Sequence, residues 1–109
     1  EGDARTGVQF AMAKGWKYAG QPMMLSEFGG TAFCSDMQGE AWGYGNAVKD
    51  EAEYRDRLKS LFAAAKKMPL LGYCYTQLTD VQQEVNGLLK EDRSPKIPTD
   101  EIRKINDME

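Results

Sequence analysis

The sequence predicts an α/β fold built on parallel strands, and three observations carry that reading. Two short apolar runs, Met23–Phe28 and Leu70–Thr76, have the length of strands rather than helices. A strongly amphipathic stretch from about Asp50 to Lys67 separates them, long enough to be the crossover that parallel strands require. Helical patterns also lie before and after the pair. The resulting order is helix, strand, loop, helix, strand, loop, helix, the alternation of a parallel α/β protein.

The elements follow in turn. Residues 3–18 read as a first helix, with Val8, Ala11 and Met12 on one face and Phe10 beside them. Gly15 weakens it, and Ala19-Gly20-Gln21-Pro22 ends it. The first strand is expected over residues 22–28; its continuous apolar character is that of a strand buried on both faces. Gly29-Gly30 breaks it. Residues 31–48 form a long Gly-rich loop bearing Phe33, Trp42 and Tyr44, and loops of that length in compact domains usually have a task. The helix expected over 50–67 sets Tyr54, Leu58, Leu61, Phe62 and Ala65 at helical spacing. Acids open it and Lys66-Lys67 close it, as the helix dipole favours, and Pro69 stops it. The second strand is expected over 70–76. A polar loop runs to Pro98, and a short helix over 99–107 turns Ile102 and Ile105 inward.

Composition narrows the chemistry. Hydrophobic residues at 41% and charged residues at 28% describe a globular chain, not a disordered one. The net charge is −3 and the basic residues are scattered among acids, which argues against a nucleic-acid partner. With no histidine, Ser-His-Asp and Cys-His catalysis cannot arise within this chain, and the commonest metal ligand is missing. Cys34 and Cys74 lie too far apart for a local metal knuckle; they read first as free thiols, with a disulfide as the alternative. No apolar run approaches the ~20 residues that span a bilayer, so no membrane partner is expected.

Two parallel strands and three helices cannot close a sheet, and a (β/α)₈ barrel takes about 250 residues. The chain also opens on Glu1 rather than Met. The expectation is a fragment of a TIM barrel. Within such a fragment Glu27 stands out, because it sits at the C-terminal end of the first strand, just before the Gly-Gly turn. Barrel enzymes place catalytic side chains at that end. A strand-end acid paired with an arginine, or capping the next turn, would occupy the same place.

Three blocks add a resemblance. Gln21-Pro22-Met23-Met24-Leu25-Ser26-Glu27-Phe28-Gly29-Gly30 resembles the nucleophile strand of glycoside hydrolase family 2, the β-galactosidase and β-glucuronidase family. Gly72-Tyr73-Cys74-Tyr75-Thr76-Gln77-Leu78-Thr79-Asp80-Val81, followed by Gln83-Glu84-Val85-Asn86-Gly87-Leu88, is similar to the eighth barrel strand and its loop. Asp92-Arg93-Ser94-Pro95-Lys96 resembles the closing segment before the last helix. The likeness runs from about Gly20 to Ile105 and implies the last two βα units of the barrel.

What the resemblance implies is a retaining hydrolase of β-linked sugars that needs no organic cofactor. Glu27 would be the nucleophile, working with a carboxylic acid that protonates the leaving oxygen. The family takes that acid from an Asn-Glu pair ending the fourth strand, and this sequence contains no such pair. The chain alone is therefore expected to be inactive. Tyr75 is the nearest candidate for the family's aromatic sugar platform, although many members have Trp there. Gln77 and Asp80 stand where the last strand meets the sugar-binding face, Asp80 either bonding a sugar hydroxyl or capping its loop. Trp42 and Tyr44 would line a subsite or anchor their loop. Glu84 and Asn86 share the Asp80 loop and are weaker substrate candidates, while Arg93 and Lys96 read as structural ties. The alternatives are a retaining glycosidase of another family in the same clan, or a carbohydrate-binding or scaffold barrel without catalysis. An isolated fragment would also expose apolar faces and is expected to self-associate.

Overall fold

The computed structural model describes residues 12–34, 43 and 47–108. They form a small mixed α/β unit in the order β1 (Met24–Gly29), α1 (Glu51–Lys66), β2 (Gly72–Thr76) and α2 (Thr99–Asp107). The two strands pair in parallel, with α1 as the crossover between them. The expected spans of 22–28, 50–67, 70–76 and 99–107 differ from these only at element ends.

The first expected helix does not form where it can be seen. Residues 12–18 make a bend and a turn, closed by the Trp16 amide on the Ala13 carbonyl at 3.0 Å. Gly15 sits at φ +89°, a left-handed conformation that ends a right-handed helix. Residues 1–11 of that expectation lie outside the described residues.

Helix α1 organises the core. Asp50 caps it, its side chain accepting from the Glu53 amide at 2.8 Å, while Glu53 reaches back to the Lys49 amide at 2.8 Å. The first of these bonds satisfies an amide that the first turn would otherwise leave unpaired, and the second ties the residue before the cap to the helix. Tyr54, Leu58, Phe62 and Ala65 form its buried stripe. Each large apolar side chain buried in this way contributes about 1.5–3 kcal/mol. Phe33, from the segment after β1, stacks on Tyr54 with ring centroids 4.9 Å apart. Ile97 and Ile105 join the same cluster, and Ile102 packs against it. Arg55 pairs with Glu101, and Lys66 Nζ donates to the Met108 carbonyl, so both ends of α2 are tied to α1.

The sheet has one packed face and one open face. Phe28, Tyr73 and Tyr75 pack on Phe62 of α1. On the other side Met24, Ser26, Glu27 and Cys74 are exposed. The expectation of strands buried on both faces is corrected on this point: no element among the described residues covers the second face, and Met24 is 60% exposed.

The pairing register is Met24 with Gly72, Leu25 with Tyr73, Phe28 with Tyr75 and Gly29 with Thr76. Between the second and third pairs β1 spends one residue more than β2, so Ser26 and Glu27 bulge opposite Cys74. Gly29 follows at φ +101°, and a Cβ there would lie 2.2 Å from the Tyr75 ring. Glycine is needed twice over at this position, for the conformation and for the space.

Two stability outcomes follow. Gly29→Ala combines left-handed strain with overpacking and should cost about 2–4 kcal/mol in urea unfolding. Leu58→Ala, at a fully buried position, should cost about 2–5 kcal/mol by the same measurement.

Candidate functional site

The site is built at the C-terminal end of the sheet, where Glu27 leaves β1 through the bulge. A bulge re-aims side chains, and here it presents a carboxylate on the open face, one residue before the strand packs down again through Phe28. Gly29 and Gly30, both at positive φ, then turn the chain across the end of β2, with the Gly30 amide on the Thr76 carbonyl at 2.8 Å. The Thr76–Gln77 peptide bond is cis.

The loop after β2 is held from inside. Asp80 is buried, and its Oδ1 accepts from Lys96 Nζ at 2.7 Å and from the Gly87 amide at 2.8 Å. The same ammonium donates to the Val85 carbonyl at 2.7 Å. With side-chain exposures of 2% for Lys96 and 6% for Asp80, the pair is removed from water. Burial pulls the Lys96 pKa down, against the opposing pull of the Asp80 carboxylate. Tyr54 Oη donates to the Gly87 carbonyl at 3.2 Å, joining the loop to α1, and burial pushes the Tyr54 hydroxyl pKa well up. At Gly87 a Cβ would lie 2.3 Å from the Thr79 carbonyl carbon, so only glycine lets these strands of loop meet. Asp80 caps this loop, and Lys96 is its counter-ion.

Gln77 enters the site from the same frame. Its amide pairs with the Asn86 carbonyl at 3.4 Å, and its carbonyl accepts from the Leu88 amide at 2.9 Å. Gln77 Nε2 and Asn86 Oδ1 are buried without a hydrogen-bond partner among the described residues, although Asn86 Nδ2 donates to Glu84 at 3.3 Å. Unpaired buried polar atoms are uncommon in folded proteins.

Tyr75 is placed differently from the sugar platform expected of it. Its ring lies on the helix side of the sheet, stacked on Phe62 at 5.6 Å and edge-on to Phe28 at 5.5 Å, directly over Gly29. Burial pushes its hydroxyl pKa up; the neighbouring Thr31 offsets this only in part and makes no well-formed hydrogen bond to it. The alternation of β2 sends Tyr73 and Tyr75 inward together and leaves Cys74 as the strand residue on the Glu27 face. The sequence marks Cys74 as a free thiol, and the Tyr73-Cys74-Tyr75 alternation is the signal that puts it on this face. Both cysteines are free thiols. Trp42 and Tyr44 lie outside the described residues.

Thus Glu27 and Gln77 come to one end of the sheet, Asp80 lies beneath the loop that carries Gln77, and Tyr75 faces away. Among the described residues no group of three or more His, Cys, Asp or Glu side chains is placed to hold a metal ion. No described helix is long and apolar enough to cross a membrane. No protein-family model matches the chain, and no curated protein matches it.

Removing one member of the buried pair leaves an uncompensated charge. Lys96→Met should lower stability by about 3–5 kcal/mol in chemical unfolding, and Asp80→Asn combined with it should cost less than the two single losses added.

Proposed function

We propose that this chain is part of the barrel of a retaining β-glycosidase, carrying its seventh and eighth βα units and the nucleophile Glu27. One observation supports this reading above the others. Glu27 is an exposed carboxylate lifted by a bulge at the C-terminal end of a parallel strand, the end at which α/β proteins bind ligands. The three sequence blocks that resemble family 2 glycosidases agree with that position. So does the open face, since parallel strands normally have both faces covered.

In this reading a Glu27 oxygen attacks the anomeric carbon as the bond to the leaving oxygen breaks, giving a glycosyl ester. A carboxylic acid about 5–5.5 Å away protonates the leaving oxygen and then deprotonates the water that cleaves the ester. That acid comes from another strand of the barrel, so the 109 residues alone turn over no substrate. In this reading Gln77, at the same end of the sheet, supplies a hydrogen bond to a sugar hydroxyl, directly or through a water. Asp80 acts indirectly, by fixing the loop that carries Gln77.

In the enzyme that contains this segment, Glu27→Gln should lower turnover of an aryl β-glycoside on the order of 10⁴-fold. Glu27→Ala with azide and an activated aryl glycoside should regain turnover, yielding a glycosyl azide of inverted anomeric configuration. Unchanged turnover by the Gln variant would remove Glu27 from the nucleophile role. The isolated chain should associate through the uncovered sheet face, with a sedimentation coefficient that rises with concentration; a compact monomer at high concentration counts against the barrel-fragment reading.

A further inference from the structure

We infer that Tyr54 is a positioning residue of the Glu27 site: its hydroxyl, projecting from α1, holds Gly87 and through it fixes where Gln77 stands. This rests on the glycosidase reading above, in which Gln77 meets a sugar hydroxyl, and adds a residue to it. The backbone of Gln77 is gripped by both neighbours of Gly87. The Gln77 amide donates to the Asn86 carbonyl at 3.4 Å, and the Leu88 amide donates to the Gln77 carbonyl at 2.9 Å. Gly87 is thus the vertex of a clamp, and it is itself held twice. Its amide donates to Asp80 Oδ1 at 2.8 Å, and its carbonyl accepts from Tyr54 Oη at 3.2 Å.

The hydroxyl is suited to setting a position. Tyr54 is fully buried and its ring stacks on Phe33 with centroids 4.9 Å apart, so Oη has little freedom. Burial pushes its pKa well up, which keeps the proton on the oxygen and the group a donor. Gly87 has no slack to follow a shifted partner. A Cβ there would lie 2.3 Å from the Thr79 carbonyl carbon and 2.4 Å from the Asp80 nitrogen. The other buried residues of α1, Leu58, Phe62 and Ala65, are apolar. Phenylalanine would fill the same packing role at position 54 without the cost of burying a hydroxyl. What the hydroxyl adds is the bond to Gly87, which carries the placement of the helix to the loop at the end of the sheet.

A double-mutant cycle separates positioning from packing. In the intact enzyme that carries this segment, Gln77→Ala should lower kcat/KM for an aryl β-glycoside about tenfold. Tyr54→Phe should lower it about fivefold, but by less than about twofold when Gln77 is already alanine, because the clamp then has no side chain to aim. Para-fluorophenylalanine in place of Tyr54 fills the volume of the hydroxyl without its proton. It should show the same loss, and it replaces the Phe variant in the cycle should that one not fold. Para-aminophenylalanine restores a donor and should recover most of the lost kcat/KM. An equal fractional loss in both Gln77 backgrounds would overturn the inference, since a change in stability alone produces that result. So would a kcat/KM within about twofold of the parent for Tyr54→Phe or for Gln77→Ala. Failure of the underlying reading looks different, since Glu27→Gln would then retain turnover whatever stands at position 54.

Discussion

The contact between Phe62 and the sheet decides the rest of this structure. Phe62 projects from α1 and meets three aromatic rings, two from β2 and one from β1. Aromatic pairs of this kind add about 0.5–1.5 kcal/mol each beyond their burial, but their directional effect matters more here. Once Phe28, Tyr73 and Tyr75 share one face, alternation assigns every other strand residue to the opposite one. A one-residue slip of β1 would expose the Phe28 ring and turn Glu27 inward, and one of β2 would expose the Tyr73 and Tyr75 rings. The bulge at Ser26–Glu27 is compatible with this packing because Phe28 returns to the helix side after it.

A second constraint, independent of the rings, shapes the end of the sheet. The loop after β2 pairs much of its own backbone, as in Gln77 with Asn86 and Leu88 and Asp80 with Leu89, and buried side chains supply further partners. Buried Asp80 and Lys96 supply several of them, at the Gly87 amide and the Val85 carbonyl, and Tyr54 supplies another at the Gly87 carbonyl. A buried ion pair is a costly way to gain stability, since both charges lose their water. Its value here is geometric. It gives one loop path to a segment that carries Gln77, and the Tyr54 bond connects that path to the same helix that orients the strands.

The elements were legible in the sequence to the extent that each rested on local physics. Asp50, the Tyr54-Leu58-Phe62 spacing and Pro69 mark α1 almost to its ends, and Ile102 with Ile105 marks α2. In the sequence Gly15 reads only as a weak point in a helix, whereas its positive φ makes it a stop. Strand faces were harder to read, because a continuously apolar run does not say which residues meet the helix. The apolar run leaves open whether Tyr75 meets the helix or the open face, and its stack on Phe62 decides that. The bulge, the Asp80–Lys96 pair across sixteen residues and the unpaired atoms of Gln77 and Asn86 all depend on contacts between distant segments. Glu27 could be placed at a strand end from sequence; its presentation by a bulge could not.

The open face and the candidate chemistry have a common origin. Glu27 lies on the open face because the rings that stabilise the sheet all lie on its other side. The face that remains is lined by small or flexible groups, with Ser26 and Cys74 around the carboxylate and Met24 lower on the strand. In a closed barrel that face would be the interior, packed below and open to substrate at the strand ends. Stability from the helix side and reactivity at the strand end can therefore vary separately. A change at Phe62 or Gly29 acts on the fold, and one at Glu27 acts on the open face. The bulge is where the two meet, because it depends on the packing of Phe28 and determines the aim of Glu27.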